Sequence, residues 1–176
     1  MDQQERFIRT RKEYNRLGLL TRESNPHFVG DTTIGWTEYS GHDLLGRPTL
    51  RQSPGPQGPR QTRYVYEGLV THVDACAETF NGAGSCQATG PNALLRMKRA
   101  HHSAGWLLAT EDAAGGIVHY RHDGGGNPVL IRDAVGAEIR ANYNGFGMRV
   151  RSEDPDRGIW TFDYYASGDL HRQTDG

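Results

Sequence analysis

The stretch HDGGGNPVLIRDAVGAEIRANYNGFG, residues 122–147, decides the fold. Two turn sequences, residues 123–126 and 144–147, lie 21 residues apart, and a third, residues 133–136, lies between them. Each opens with Asp or Asn, whose side chain can accept hydrogen bonds from nearby backbone amides. Each closes with a glycine that can take the positive φ of a type I turn followed by a bulge. The stretch therefore predicts a repeat unit of two strands and two turns.

The same 21-residue period extends on both sides of this stretch. Three residue types recur in one register: a turn glycine, an Asp seven residues after it, and an aromatic residue or histidine four residues before it. The glycines are Gly105, Gly126, Gly147 and Gly168, the aspartates are Asp112, Asp133, Asp154 and Asp175, and the ring residues are His101, His122, Tyr143 and Tyr164. Self-similarity at a fixed period is the signature of a repeat protein.

Between the turns, apolar and polar residues alternate as they do in half-buried strands. We predict that one face of each strand is buried along the whole array. Its residues are Ala137, Ile139, Ala141 and Tyr143 in one repeat, Gly158, Trp160, Phe162 and Tyr164 in the next, Gly116, Val118, Tyr120 and His122 in the one before, and Leu108, Val129 and Val150 on the intervening strands.

The organisation changes along the chain. Residues 99–176 carry the regular repeats, whereas residues 1–74 carry similar turn sequences at uneven spacing, such as those ending at Gly18 and Gly46. Residues 75–98 contain glycines and both cysteines and are predicted to be an insertion, with a short helix over residues 92–100. The fold expected is an all-β, open and curved antiparallel sheet of tandem hairpins, with about 16 strands at one strand per ten or eleven residues.

Composition limits the functions available. Of 176 residues only 35% are hydrophobic, while 23 are Gly and 8 are Pro, which predicts many turns and a thin core. The formal net charge of -1 gives no basic field for nucleic acid. No apolar run approaches the roughly 18 residues of a membrane span, and residues 1–20 lack a signal-peptide core, so neither membrane insertion nor a signal peptide is predicted for this segment.

The repeats resemble the tyrosine-aspartate (YD) repeats of RHS proteins, which also occur in teneurins and in the B and C components of Tc toxins. The motifs that carry the resemblance are Tyr120-Arg121-His122-Asp123 with Gly126-Asn127, Tyr143-Asn144 with Gly147-Met148-Arg149, Phe162-Asp163-Tyr164 with Gly168-Asp169-Leu170, and Asp43-Leu44-Leu45-Gly46-Arg47-Pro48. The sequence departs from the pattern at His101 and His122, which replace Tyr, and at Tyr165, which replaces Asp.

The resemblance implies a segment of a spiral β-sheet shell that encloses a toxin domain in a secreted or injected bacterial polymorphic toxin. The expected partners are then the rest of the same polypeptide and the enclosed domain. The alternative is a cell-surface module that binds carbohydrate or mediates adhesion. Unpaired strand edges at the two ends of such an array also predict self-association.

No catalytic, metal or cofactor site is predicted. His119 and His122 lie three residues apart and would point to opposite faces of a strand, so they do not suit one ion. Glycines 124–126 lack the Lys-Ser/Thr ending of a phosphate-binding loop, and no Ser stands in a nucleophile-elbow pattern. A packed role is favoured for His101 and His122, and a non-enzymatic role for the chain.

Two further sets of residues remain as candidates. Cys76 and Cys86 are either joined in a disulfide or present as two free thiols, and the sequence does not decide between them. Four aromatic residues lie off the predicted buried stripe and could stack on sugar rings: Trp36, Tyr39, Trp106 and Tyr165.

Overall fold

A computed structural model describes residues 7–176 and shows an all-β chain in that range, with no helix and hence none that could cross a membrane. This confirms the predicted fold class, and the strands described number sixteen. They are β1 (Ile8–Arg9), β2 (Lys12–Tyr14), β3 (Leu20–Ser24), β4 (His27–Phe28), β5 (Trp36–Ser40), β6 (Leu50–Ser53), β7 (Arg60–Glu67), β8 (Val70–Cys76), β9 (Leu94–His101), β10 (Leu107–Glu111), β11 (Ile117–His122), β12 (Pro128–Arg132), β13 (Glu138–Tyr143), β14 (Arg149–Asp154), β15 (Gly158–Tyr164) and β16 (Leu170–Asp175).

The strands follow sequence order within an open antiparallel sheet. Fourteen of those described belong to it, from β2 at one edge to β16 at the other, while β1 and β4 pair with each other. Successive hairpins are therefore neighbours, as the repeat predicted. By contacts, the chain divides into two units. Unit 1 holds the residues up to Tyr66 together with His72–Arg96, and unit 2 holds Glu67–Thr71 together with Met97–Gly176.

One turn geometry recurs throughout. At residues 123–126 the amide of Gly126 donates to the carbonyl of Asp123, and Asp123 Oδ1 accepts from the amides of Gly125 and Asn127 at 2.9 and 3.0 Å. The same set of bonds forms at turns that open with Asn15, Asp43, Asn81, Asp112, Asp133 and Asn144. The four predicted lattice glycines all have positive φ, between 76° and 90°. The turn chemistry is therefore built as the sequence predicted.

The apolar face of unit 2 is half-buried rather than buried. Val118, Tyr120, Tyr143 and Phe162 keep intermediate exposure, and every buried residue among those described lies in unit 1. A single sheet with nothing packed on this face cannot enclose it. The prediction of burial was also wrong for Leu108 and Ile139, which are each 38% exposed, and for Ala137 and Gly158, which are exposed as well.

The helix predicted over residues 92–100 is wrong, since this segment forms strand β9. Residues such as Leu, Met, Lys and Arg favour a helix in isolation, but pairing with β10 overrides that preference. Arg99 lies opposite Thr110, and Lys98 lies opposite Glu111 and contacts its carboxylate at 2.8 Å.

Residues 77–93 form a small hairpin that connects β8 to β9, which we call the 77–93 hairpin. The amide of Ala77 donates to the carbonyl of Ala93 at its base, and Phe80 bridges to Cys86 near its tip. Its turn, residues 81–84, has the geometry of the repeats, and Gly84 lies 21 residues before Gly105. The predicted insertion therefore belongs to the 21-residue lattice.

Candidate functional site

The tyrosines of the repeat join neighbouring hairpins. The hydroxyl of Tyr164 donates to the carbonyl of Arg149 at 2.8 Å, and that of Tyr143 donates to the carbonyl of Pro128 at 3.2 Å. In unit 1, Tyr66 makes the same bond to Pro48 at 2.8 Å. Each acceptor lies two residues after a turn glycine, so every one of these tyrosines ties its own strand to the turn of the preceding repeat.

The residue after a turn glycine packs against the glycine of the next turn on the same edge of the sheet. A Cβ placed on Gly126 would lie 2.8 Å from the indole nitrogen of Trp106. The same placement brings Gly147 within 3.3 Å of Asn127 and Gly168 within 3.9 Å of Met148. Stacked turns therefore form an edge along which each repeat contacts the next. Glycine is required at these turns for its positive φ and, at Gly126, also for its size.

His122, which stands at the tyrosine position of its repeat, packs against an indole ring. Trp106 lies between His102 and His122, with ring centroids 5.2 and 5.7 Å away. Nδ1 of His122 is buried and has no hydrogen-bond partner. A ring held against an indole in this way serves packing, as the sequence favoured. Among residues 7–176 no group of three or more His, Cys, Asp or Glu side chains could hold a metal ion.

The opposite face of unit 2 carries ion pairs across neighbouring strands. Glu138 of β13 contacts Arg132 of β12 and, at 2.6 Å, Arg140 of its own strand. Hydrogen bonds from Arg140 and then Arg132 lower the pKa of the Glu138 carboxyl. On β14, Arg151 contacts Glu153 at 2.8 Å. The arginine side chains of these pairs are about half exposed to water, so the pairs add little to stability.

A disulfide joins Cys76, at the end of β8, to Cys86 in the 77–93 hairpin, with Cα atoms 5.6 Å apart. Arg63 of β7 holds the same hairpin, because its guanidinium donates to the carbonyl of Gly84 at 3.0 Å and stacks 4.7 Å from the centre of the Phe80 ring. Asp74 of β8 balances this charge at 2.7 Å. Spacing gave no sign of Arg63, but the Asn-x-x-Gly pattern at 81–84 could have revealed the hairpin itself.

The four aromatic residues proposed for sugar stacking lie in three places: Trp36 and Tyr39 on β5, Trp106 just before β10, and Tyr165 just after β15. Trp36 and Tyr39 are in unit 1, where the Arg22 guanidinium covers the Trp36 ring at 4.4 Å. Trp106 is enclosed by histidines in unit 2, and the Tyr165 ring lies 4.3 Å from that of His171. No contact joins these rings into one platform within the described residues. Carbohydrate binding by them stays a prediction.

Comparisons with known proteins identify a solved structure with a similar fold. No family model matches the sequence, and no curated protein matches it. A chain of the Photorhabdus luminescens Tc holotoxin pore matches in structure, with a TM-score of 0.51 and 16% sequence identity. The match covers 93% of this chain and 9% of the length of that one. At this identity the likeness shows a shared fold, which is that of a sheet from a Tc toxin assembly.

Proposed function

We propose that this chain is a non-catalytic wall segment of an RHS-type shell that encloses a toxin domain in a secreted or injected bacterial polymorphic toxin. The observation that carries the proposal is the strand order, which runs through the sheet without a crossover while one turn geometry repeats. An array of this kind can be lengthened by adding repeats, and each repeat needs only its neighbours. This is the property that a long enclosing wall requires.

Two further findings support the proposal. The fold matches a small part of a much longer chain from a Tc holotoxin, as expected for one stretch of a wall. The apolar face of unit 2 keeps intermediate exposure, and no residue on it is fully buried. The partners of this segment would then be the remainder of its own polypeptide and the enclosed domain.

Protease protection in the complete polypeptide tests this function. A toxin domain enclosed by the wall should resist trypsin at concentrations that digest the same domain expressed alone. The Gly126→Ala variant, in which the new methyl group collides with Trp106, should loosen the wall and make the domain cleavable. Gly136→Ala, with open space at that position, should preserve more protection. Cleavage of the domain in the unaltered polypeptide at the rate of the isolated domain would contradict enclosure.

A further inference from the structure

The apolar face of unit 2 forms an open cavity of about 700 Å³ across strands β12 to β16, which we call the dish. Its floor consists of Ile131, Ile139, Trp160 and Phe162. Strand pairing places Ile131 opposite Ile139, and Phe162 opposite Gln173 of the next strand. The floor residues therefore belong to one face of neighbouring strands and form a continuous surface.

The floor presents flat apolar groups. The indole nitrogen of Trp160 donates to the carbonyl of Arg157 at 2.9 Å, so the polar atom of the ring is satisfied, and the ring keeps intermediate exposure. Ile139 is 38% exposed. A ring laid on such a surface gains from the removal of apolar area from water and from aromatic stacking.

The rim of the dish carries two guanidinium groups that have no acidic partner in the described part of the chain. Arg149 stacks over Phe162, 4.7 Å from the ring centre, and neither it nor Arg157 forms an ion pair within residues 7–176. The acidic group on the rim, Asp154, already accepts bonds from the amides of Asp156 and Arg157 at 2.9 and 3.3 Å. Positive charge without a partner therefore borders an apolar floor.

We infer that the dish binds a small anion that carries a flat apolar ring, with the ring on Trp160 and the carboxylate or phosphate attracted by the positive charges of Arg149 and Arg157 on the rim. Guanidinium groups suit such anions because their donors match two oxygens at once. The site is independent of the proposed wall function, since it needs only strands β12 to β16.

A charge series on one ring tests the site in the full chain. The probes are 2-naphthoate, 2-naphthylmethanol and 2-naphthylmethylammonium, which share the ring and differ in charge. NMR of isotope-labelled isoleucine methyl groups reports where each probe binds. The methyl signals of Ile131 and Ile139 should shift saturably as probe is added. Those of Ile117 and Ile159 should not, because these residues lie on the opposite face. They are suitable controls because each is 39% exposed and Ile139 is 38% exposed.

The expected affinity order is naphthoate, then the alcohol, then the ammonium, with naphthoate about fivefold tighter than the alcohol on the scale of exposed ion pairs. The double variant Arg149→Gln with Arg157→Gln should reduce this ratio to below about twofold, since uncharged amides lack the attraction. Arg151→Gln, which alters a charge on the opposite face of β14, should leave the ratio unchanged.

Any of the following outcomes would overturn the inference. They are the absence of a saturable shift up to about 10 mM probe, equal affinities for all three probes, and shifts of Ile117 and Ile159 as large as those of Ile131 and Ile139. Tighter binding of the alcohol than of the anion would assign the dish to uncharged ligands and would also overturn it.

Discussion

The two units use the same turn but reach stability in different ways. Unit 2 repeats at 21 residues, stacks its turns and contains no fully buried residue among those described. Unit 1 has uneven spacing, yet it holds the buried residues Ser24, His27, Thr37, Val73 and Cys76, together with the disulfide. A regular array accumulates many equal neighbour contacts, whereas an irregular one depends on local burial and a covalent link.

This comparison predicts that tight stacking matters most in unit 2. Gly126→Ala should destabilise the protein by about 3 kcal/mol, which combines a left-handed backbone cost of about 1 to 2 kcal/mol with overpacking against Trp106. Gly136 has a similar positive φ but open space around it, so Gly136→Ala should cost only the backbone part. Urea unfolding measures both variants, and equal losses would show that the stacked edge contributes nothing.

Loss of the disulfide should weaken unit 1 alone. Cys76→Ser with Cys86→Ser should lower its stability by about 2 to 3 kcal/mol, because a closed loop of this size restrains the unfolded chain. Hydrogen exchange read by mass spectrometry should show faster exchange in β7 and the 77–93 hairpin and no change in β12 to β15. Faster exchange throughout unit 2 would show that the disulfide stabilises both units and would contradict the difference between them. Two alkylatable cysteines in the unreduced protein would show that the link is absent.

Loss of the turn-opening side chain should reduce folding stability by the same amount in both units. Asp133→Ala in unit 2 and Asn15→Ala in unit 1 each remove an oxygen that accepts two backbone amides at 2.8 to 3.0 Å. We expect each variant to lose about 1 to 2 kcal/mol, the usual net worth of such bonds. Thermal unfolding measures the loss, and a large effect in one unit only would show that the turns are not equivalent.

The smallest effect that we predict is the contribution of one turn carboxylate, Asp123, to the loss of stability in acid. Hydrogen bonds from the Asn127 side chain and backbone lower the pKa of the Asp123 carboxyl. Because the folded pKa lies below the unfolded one, this group stabilises the fold above the ordinary aspartate pKa, and the contribution is lost as pH falls through the folded value. Asp123→Asn should therefore flatten the acid dependence of exchange in β11 and β12 below about pH 5. An unchanged profile would exclude a role for Asp123 in it.

The sequence determined the parts of the fold that depend on local chemistry. The turn glycines, the Asx turns and the strand alternation are each encoded within a few residues, and the structure contains them. The helix predicted over residues 92–100 failed because strand pairing, which is not local, overrides helix propensity in β9. The 77–93 hairpin was missed because its strands are too short to show alternation, although Asn81 and Gly84 keep the lattice.

The candidate sites were harder to predict for the same reason. Trp160 and Phe162 were placed in a buried stripe, and only the open face of the sheet reveals them as the floor of the dish. Arg149 lies on β14 and Arg157 in the turn between β14 and β15. No short sequence motif predicts that both border the same floor. Arg63 likewise contacts Gly84 across 21 residues through the fold of the hairpin.

Deletion of one complete repeat tests the account most directly. Removing residues 127–147 takes out 21 residues and joins the turn of Gly126 to Met148, so every later side chain keeps its face. Native-state hydrogen exchange should then show β11 and β14 as protected as before. Removing residues 127–148 instead shifts the strand register by one residue. This deletion should abolish the protection, because a shift of one residue moves every later side chain to the other face of the sheet. Equal loss of protection in both deletions would contradict a chain built from interchangeable 21-residue hairpin repeats.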